Sequence, residues 1–144
     1  MKVVCDTTEA PVVKVALDLL KRDCRSVLSG EISRSENTGN IYVGTWGESS
    51  VLQALADTRQ LDVAQLDEHK EAFLLNVLPD GRLVVAGSDK RGTAYGVLEL
   101  SRMMGVSPWE WWADAVPEKK EEFRLPAGFR KLDYPQVAYR GIFI

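Results

Sequence analysis

From Pro11 onward, Val13, Ala16, Leu17, Leu20, Cys24, Val27 and Leu28 recur at steps of three and four, with Lys14, Asp18, Lys21, Arg22 and Arg25 between them. That spacing gathers the apolar side chains on one face and predicts an amphipathic helix of about five turns, ending near Gly30. Pro11 stands where a first helical turn tolerates a missing N–H, and Val3 and Val4 before it predict a short strand.

Ser33 to Asn40 is dense in Ser, Glu, Asn and Gly and reads as a solvated loop. Ile41-Tyr42-Val43-Gly44-Thr45 is apolar and β-prone, so it predicts a buried strand. Gly47-Glu48-Ser49-Ser50 offers a turn with capping hydroxyls, after which Val51, Leu52, Leu55 and Ala56 begin a shorter helix. Leu61 to Lys70, polar with scattered leucines, reads as a turn or a marginal helix.

Ala72–Leu78 and Arg82–Ala86 flank Pro79-Asp80-Gly81, which predicts an antiparallel hairpin. Gly87-Ser88-Asp89 then turns the chain and caps a second long helix that carries Ala94, Val97, Leu98, Leu100, Met103 and Met104 and stops at Gly105. The tail, apolar at Val137, Tyr139, Ile142 and Ile144, reads as a last strand. The order strand, helix, strand, helix, hairpin, helix, strand predicts an α/β domain: a single-layer mixed β-sheet packed with two long helices and a short one.

With 144 residues, one core is the natural expectation. A mean hydropathy of -0.15 with no long apolar run excludes a spanning helix. A net charge of -3 leaves no basic field for a phosphate backbone, so neither nucleic acid nor membrane is an expected partner. Cys5 and Cys24 are too few for a disulfide scaffold and lack zinc spacing, so they read as buried thiols, Cys24 on its helix's apolar face and Cys5 just beyond a strand. No apolar core of an export signal lies within Met1 to Ala10. The single histidine, His69, falls in the polar segment and reads as a surface residue, which leaves no triad and no histidine-rich metal site.

Three groups of residues invite a chemical reading. Gly87-Ser88-Asp89-Lys90-Arg91-Gly92-Thr93 has the glycine spacing of a phosphate loop, but Thr93 stands where lysine belongs. A strand-to-helix turn, capped by Ser88 or Asp89 with Gly92 allowing close packing, is the simpler reading. Lys90 and Arg91 oppose the positive end of the helix dipole, so they call for an acidic partner, either on another domain or on a uronic acid. Trp109-Glu110-Trp111-Trp112-Ala113-Asp114 concentrates indole area that suits either a sugar-stacking platform or an anchor on a core or a neighbouring domain. Glu110 and Asp114 are the one pair whose carboxylates could be considered for glycoside cleavage.

Gly87 to Gly96, Gly105-Val-Ser-Pro-Trp-Glu-Trp-Trp-Ala-Asp114 and Tyr139-Arg-Gly-Ile-Phe-Ile144 together resemble the N-terminal region of glycoside hydrolase family 115, the xylan α-1,2-glucuronidases. Residues 1 to 86 match that family only in layout. The resemblance implies a fold similar to the small domain that precedes the barrel in β-hexosaminidases and other α-glucuronidases. Residues 1-136 are then the accessory domain, and 137-144 enter the first strand of a (β/α)8 catalytic barrel. The catalytic carboxylates lie beyond that point, so the resemblance places no catalytic residue, cofactor or metal in this chain. It assigns Ser88, Asp89, Lys90, Arg91, Trp109, Trp111, Trp112 and Asp114 to the barrel interface or the substrate mouth. Glu110 departs from the family's aromatic pattern. The implied partners are the C-terminal barrel of the same polypeptide and a xylan-derived glycan, in an extracellular or periplasmic setting. Two other functions compete: a free-standing carbohydrate-binding module using Trp109 to Trp112, and a small enzyme using Asp89, Lys90 or Asp114.

Overall fold

The computed structural model describes residues 2–28 and 40–142, apart from the side chains of Trp111 and Trp112. Its elements are β1 (Lys2–Cys5), α1 (Pro11–Val27), β2 (Asn40–Thr45), α2 (Ser50–Asp57), β3 (Phe73–Val77), β4 (Leu83–Gly87), α3 (Lys90–Met103), α4 (Glu110–Ala113) and β5 (Arg130–Asp133). A 3-10 turn at Ala64–Glu68 lies between α2 and β3.

The sheet runs in the order β1-β2-β4-β3-β5. The α1 crossover makes β1 and β2 parallel. α2 leads from β2 into β3, and the tight hairpin from β3 turns the chain back so that β4 runs parallel to β2 and antiparallel to β3, with which β5 also pairs antiparallel. The result is the mixed α/β domain expected from the pattern.

Side chains alternate across this sheet and both faces are covered. Ile41, Val43, Phe73, Leu75 and Val85 pack under α1 and α3. Tyr42, Leu74, Val84 and Ala86 point the other way, against α2 and the residues Leu61, Val63 and Leu66 around the 3-10 turn. Burial on both faces explains why the central strands read as continuous apolar runs and not as alternation. It also gives the polar 61–70 stretch its purpose: its scattered apolar residues cap the second core.

The structure corrects several expectations. The final strand is Arg130–Asp133, not the tail: Val137 to Ile142 pair with no strand among the described residues, while Phe143 and Ile144 lie outside them. Only Leu132 is apolar in the Arg-Lys-Leu-Asp of β5, so periodicity gave no signal, and long-range pairing with β3 decides it. Asn40 opens β2, and the rest of the 33–40 loop and Gly30 lie outside the described residues. His69 is half-buried, its ring stacked 3.6 Å from that of Tyr134. Cys5 ends β1 itself, half-buried, and Cys24 is buried.

Candidate functional site

The turn from β4 into α3 is stitched to the chain before β3. Asp89, in extended backbone, caps α3 by accepting from Gly92 N–H (2.8 Å) through Oδ1, and its Oδ2 accepts from Glu71 N–H (2.9 Å). Ser88 Oγ accepts from Ala72 N–H at 3.0 Å, and Ser88 N–H donates to Ala72 O at 2.9 Å. Gly92 is required by this closeness, since a Cβ there would stand 2.1 Å from Ala72 O.

This geometry removes the phosphate-loop reading. Thr93, in the place of the lysine, is fully buried, with Oγ1 2.8 Å from Thr45 Oγ1 and 3.0 Å from the Asp89 carbonyl. Gly92 N–H and Thr93 N–H, the donors a phosphate would take, bond to Asp89. Ser88 and Asp89 therefore act within the fold.

Behind this turn the buried Glu9 accepts from Thr45 N–H (2.7 Å) and from the Thr45 hydroxyl (3.1 Å). It joins the β1–α1 connection to the end of β2. Sequence reasoning missed this residue because a glutamate in the polar run Asp6-Thr7-Thr8-Glu9 looks like a solvated turn position.

Lys90 and Arg91 are exposed at the start of α3. An acidic partner for Arg91 is present on this chain: Arg91 Nη1 stands 3.4 Å from Glu71 Oε1, with the arginine side chain still largely exposed. Glu71 Oε2 also meets Arg140 Nη2 at 3.1 Å. Lys90 has no ion pair among the described residues.

The tryptophan segment lies at the opposite end of α3. It forms α4, and Arg22 holds it to the C-terminal half of α1 by reaching both Asp23 (2.8 Å) and Glu110 (3.3 Å). Glu110 thus anchors α4. Trp109 is 63% exposed, so it is not packed into this domain's core. Asp114 is exposed and left-handed (φ 46°) as the C-cap of α4. With Glu110 tied to Arg22 and Asp114 in solvent, neither carboxyl occupies the apolar pocket that would make it a general acid.

The eight residues singled out from the sequence therefore do not form one cluster. Ser88 to Arg91 and Trp109 to Asp114 are separated by the 14 residues of α3, about 20 Å at 1.5 Å per residue. Tyr139 and Ile142, 94% and 91% exposed, follow the first group's end through Arg140.

Cysteine chemistry has no support in this geometry. Burial, then Glu9 and Asp6, pushes the Cys5 thiol up to about 11, and burial likewise raises Cys24. Among the described residues no group of three His, Cys, Asp or Glu side chains is placed to hold a metal ion, and no helix is long and apolar enough to cross a membrane.

No protein-family model matches the chain, and no curated protein does. A solved structure does: a family GH115 4-O-methyl-α-glucuronidase with specificity for decorated arabinogalactans is similar to it over 99% of this chain, at 55% identity and a TM-score of 0.87. The chain belongs to glycoside hydrolase family 115. It spans 18% of that relative's length. The likeness runs through residues 1 to 86 as well, where the sequence motifs alone gave only a matching layout. The β4–α3 turn and the α4 segment described above are thus features of a family 115 domain.

Proposed function

We propose that this chain is the non-catalytic N-terminal domain of a family 115 α-glucuronidase, which removes glucuronic acid or its 4-O-methyl form from a polysaccharide. Residues 1-136 form the accessory domain and 137-144 lead into a (β/α)8 barrel that carries the catalytic carboxylates. The observation behind this reading is the coverage: almost the whole chain matches a glucuronidase of which it makes up under a fifth. The exposed Val137, Tyr139 and Ile142 add to it, because a run of apolar side chains in solvent suits burial against a neighbouring domain.

The released sugar is common to glucuronoxylan, which the motifs favour, and to the decorated arabinogalactans of the solved relative. Polysaccharides of this size are met outside the membrane, so the parent works in an extracellular or periplasmic setting. Trp109 to Trp112 and Lys90 border the barrel.

The test uses the open reading frame and the parent enzyme. The frame continues past Ile144 into a barrel with acidic strand ends, and the parent releases uronic acid from one or both polysaccharides. Lys90→Ala in the parent shifts Tm or domain docking more than KM; a large KM change at unchanged Tm assigns Lys90 to the substrate instead. The competing binding-module reading predicts that glucuronoxylan alters the tryptophan fluorescence of this chain by itself, with Trp109 the exposed reporter. A silent titration eliminates it, and a stop codon after Ile144 eliminates the barrel.

A further inference from the structure

Glu71 sits between the 3-10 turn and β3 with a left-handed backbone, φ 54°. Glycine adopts that conformation without strain and a glutamate does not. What glycine cannot supply is the carboxylate. Glu71 Oε1 faces Arg91 Nη1 of α3 and Oε2 faces Arg140 Nη2, and the side chain is only 14% exposed. Its own N–H is pinned to the α3 cap through Asp89 Oδ2. A strained residue whose side chain bridges two cations is the kind of outlier from which a functional role is argued.

The far side of the bridge organises the segment after β5. Arg140 Nη1 donates to Val137 O at 2.6 Å, which closes residues 137 to 140 around the guanidinium. Hydrogen bonding to Tyr95 of α3, and then to Glu71, raises the Arg140 pKa above its ordinary value. One side chain thus ties this segment to the N-terminal half of α3. Tyr139 and Ile142, on either side of Arg140, are left almost wholly in solvent. Among the described residues nothing covers the apolar groups of the ordered segment, which stay wet.

We infer that Glu71 is a positioning residue that sets the direction in which the polypeptide leaves this domain, and with it the surface of Tyr139, Ile142 and Lys90 offered to the catalytic part of the same enzyme. The inference rests on the accessory-domain reading above. The occupant is the remainder of the parent polypeptide; in the solved relative more than four-fifths of the chain lies outside the part that matches. Its matching face is an apolar socket with a carboxylate at its rim, complementary to Tyr139, Ile142 and Lys90.

Two measurements test this. In the 144-residue chain, Glu71→Gln keeps the side-chain volume and removes the charge. Trypsin then cleaves after Arg140 about fivefold faster, as expected for loss of one ion pair from a fast opening equilibrium, while cleavage after the exposed Arg59 is unchanged. An unchanged rate at Arg140, or equal acceleration at both sites, overturns the latch. In the parent enzyme, Glu71→Gln splits the joint thermal unfolding of the two parts into separate transitions. Arg140→Gln, a change at an exposed side chain, does the same if the first variant fails to fold. A single transition in whichever variant folds overturns the positioning role and leaves the accessory-domain reading standing. A wild-type parent that unfolds in two independent steps also overturns the positioning role, and the accessory-domain reading is then decided by the reading frame alone.

Discussion

The hydroxyl oxygens of Thr45 and Thr93 stand 2.8 Å apart, both buried, where the end of β2 meets the first turn of α3. Glu9 accepts from the Thr45 hydroxyl at 3.1 Å, so Thr45 Oγ1 is the acceptor toward Thr93, whose one hydroxyl proton faces both Thr45 and the Asp89 carbonyl. The chain of bonds ties the β1–α1 connection, β2 and α3 together at the C-terminal end of β2.

Thr93→Val keeps the shape and removes the donor, and it costs about 1 kcal/mol of unfolding free energy. Glu9→Ala strips a charged acceptor from a buried N–H and costs about 2–3 kcal/mol. Urea denaturation of the two single variants and the double variant gives the coupling, and strict additivity contradicts a shared network.

Gly92→Ala places a methyl 2.1 Å from the Ala72 carbonyl, a backbone atom that cannot rotate away. Overpacking of this kind costs about 2–3 kcal/mol, against the slight gain that alanine brings in an open helix. A Tm equal to or above that of the wild type contradicts the close approach of α3 to the chain before β3.

Glu99 receives Arg102 at 2.6 Å and Lys131 of β5 at 2.7 Å. Hydrogen bonds from Arg102 and then from Lys131 hold its carboxyl below the ordinary 4.5. A depressed carboxylate contributes stability above its unfolded value and loses it as pH falls through the folded value. The advantage of the wild type over Glu99→Gln is therefore full at neutral pH, under about 1 kcal/mol because Arg102 is exposed, and fades as acid is added below pH 4.5. Urea midpoints across that range measure it, and an advantage that grows in acid reverses the sign.

Cys5, with its thiol pushed up to about 11, reacts slowly with a small disulfide reagent at pH 8. Fewer thiolates form than for a thiol at the ordinary 9.0, and the greater nucleophilicity of a more basic thiolate offsets part of the loss, leaving about a tenfold deficit. Reaction in urea restores the ordinary rate. Fast reaction in the native protein contradicts the burial of Cys5.

Periodicity over α1 and α3, the Pro79-Asp80-Gly81 hairpin and the caps at Ser49 and Asp89 were all legible along the chain, because each depends on residues within a few positions of one another. β5 was not legible, since Arg130 to Asp133 becomes a strand through the free edge of β3. The acidic partner of Arg91 was not legible either. Glu71 is twenty positions away in the chain, and its left-handed backbone leaves no mark on the sequence.

The motifs by themselves determined the class of the domain, the family it resembles and the residues that stand out chemically. Local spacing and short-range turn chemistry are enough for that. Only the tertiary structure decided that Ser88 and Asp89 work inside the fold, that Arg91 and Arg140 share Glu71, and that the tryptophan segment and the basic turn occupy opposite ends of α3. Those relationships come from how helices and strands pack across distances that no local pattern encodes.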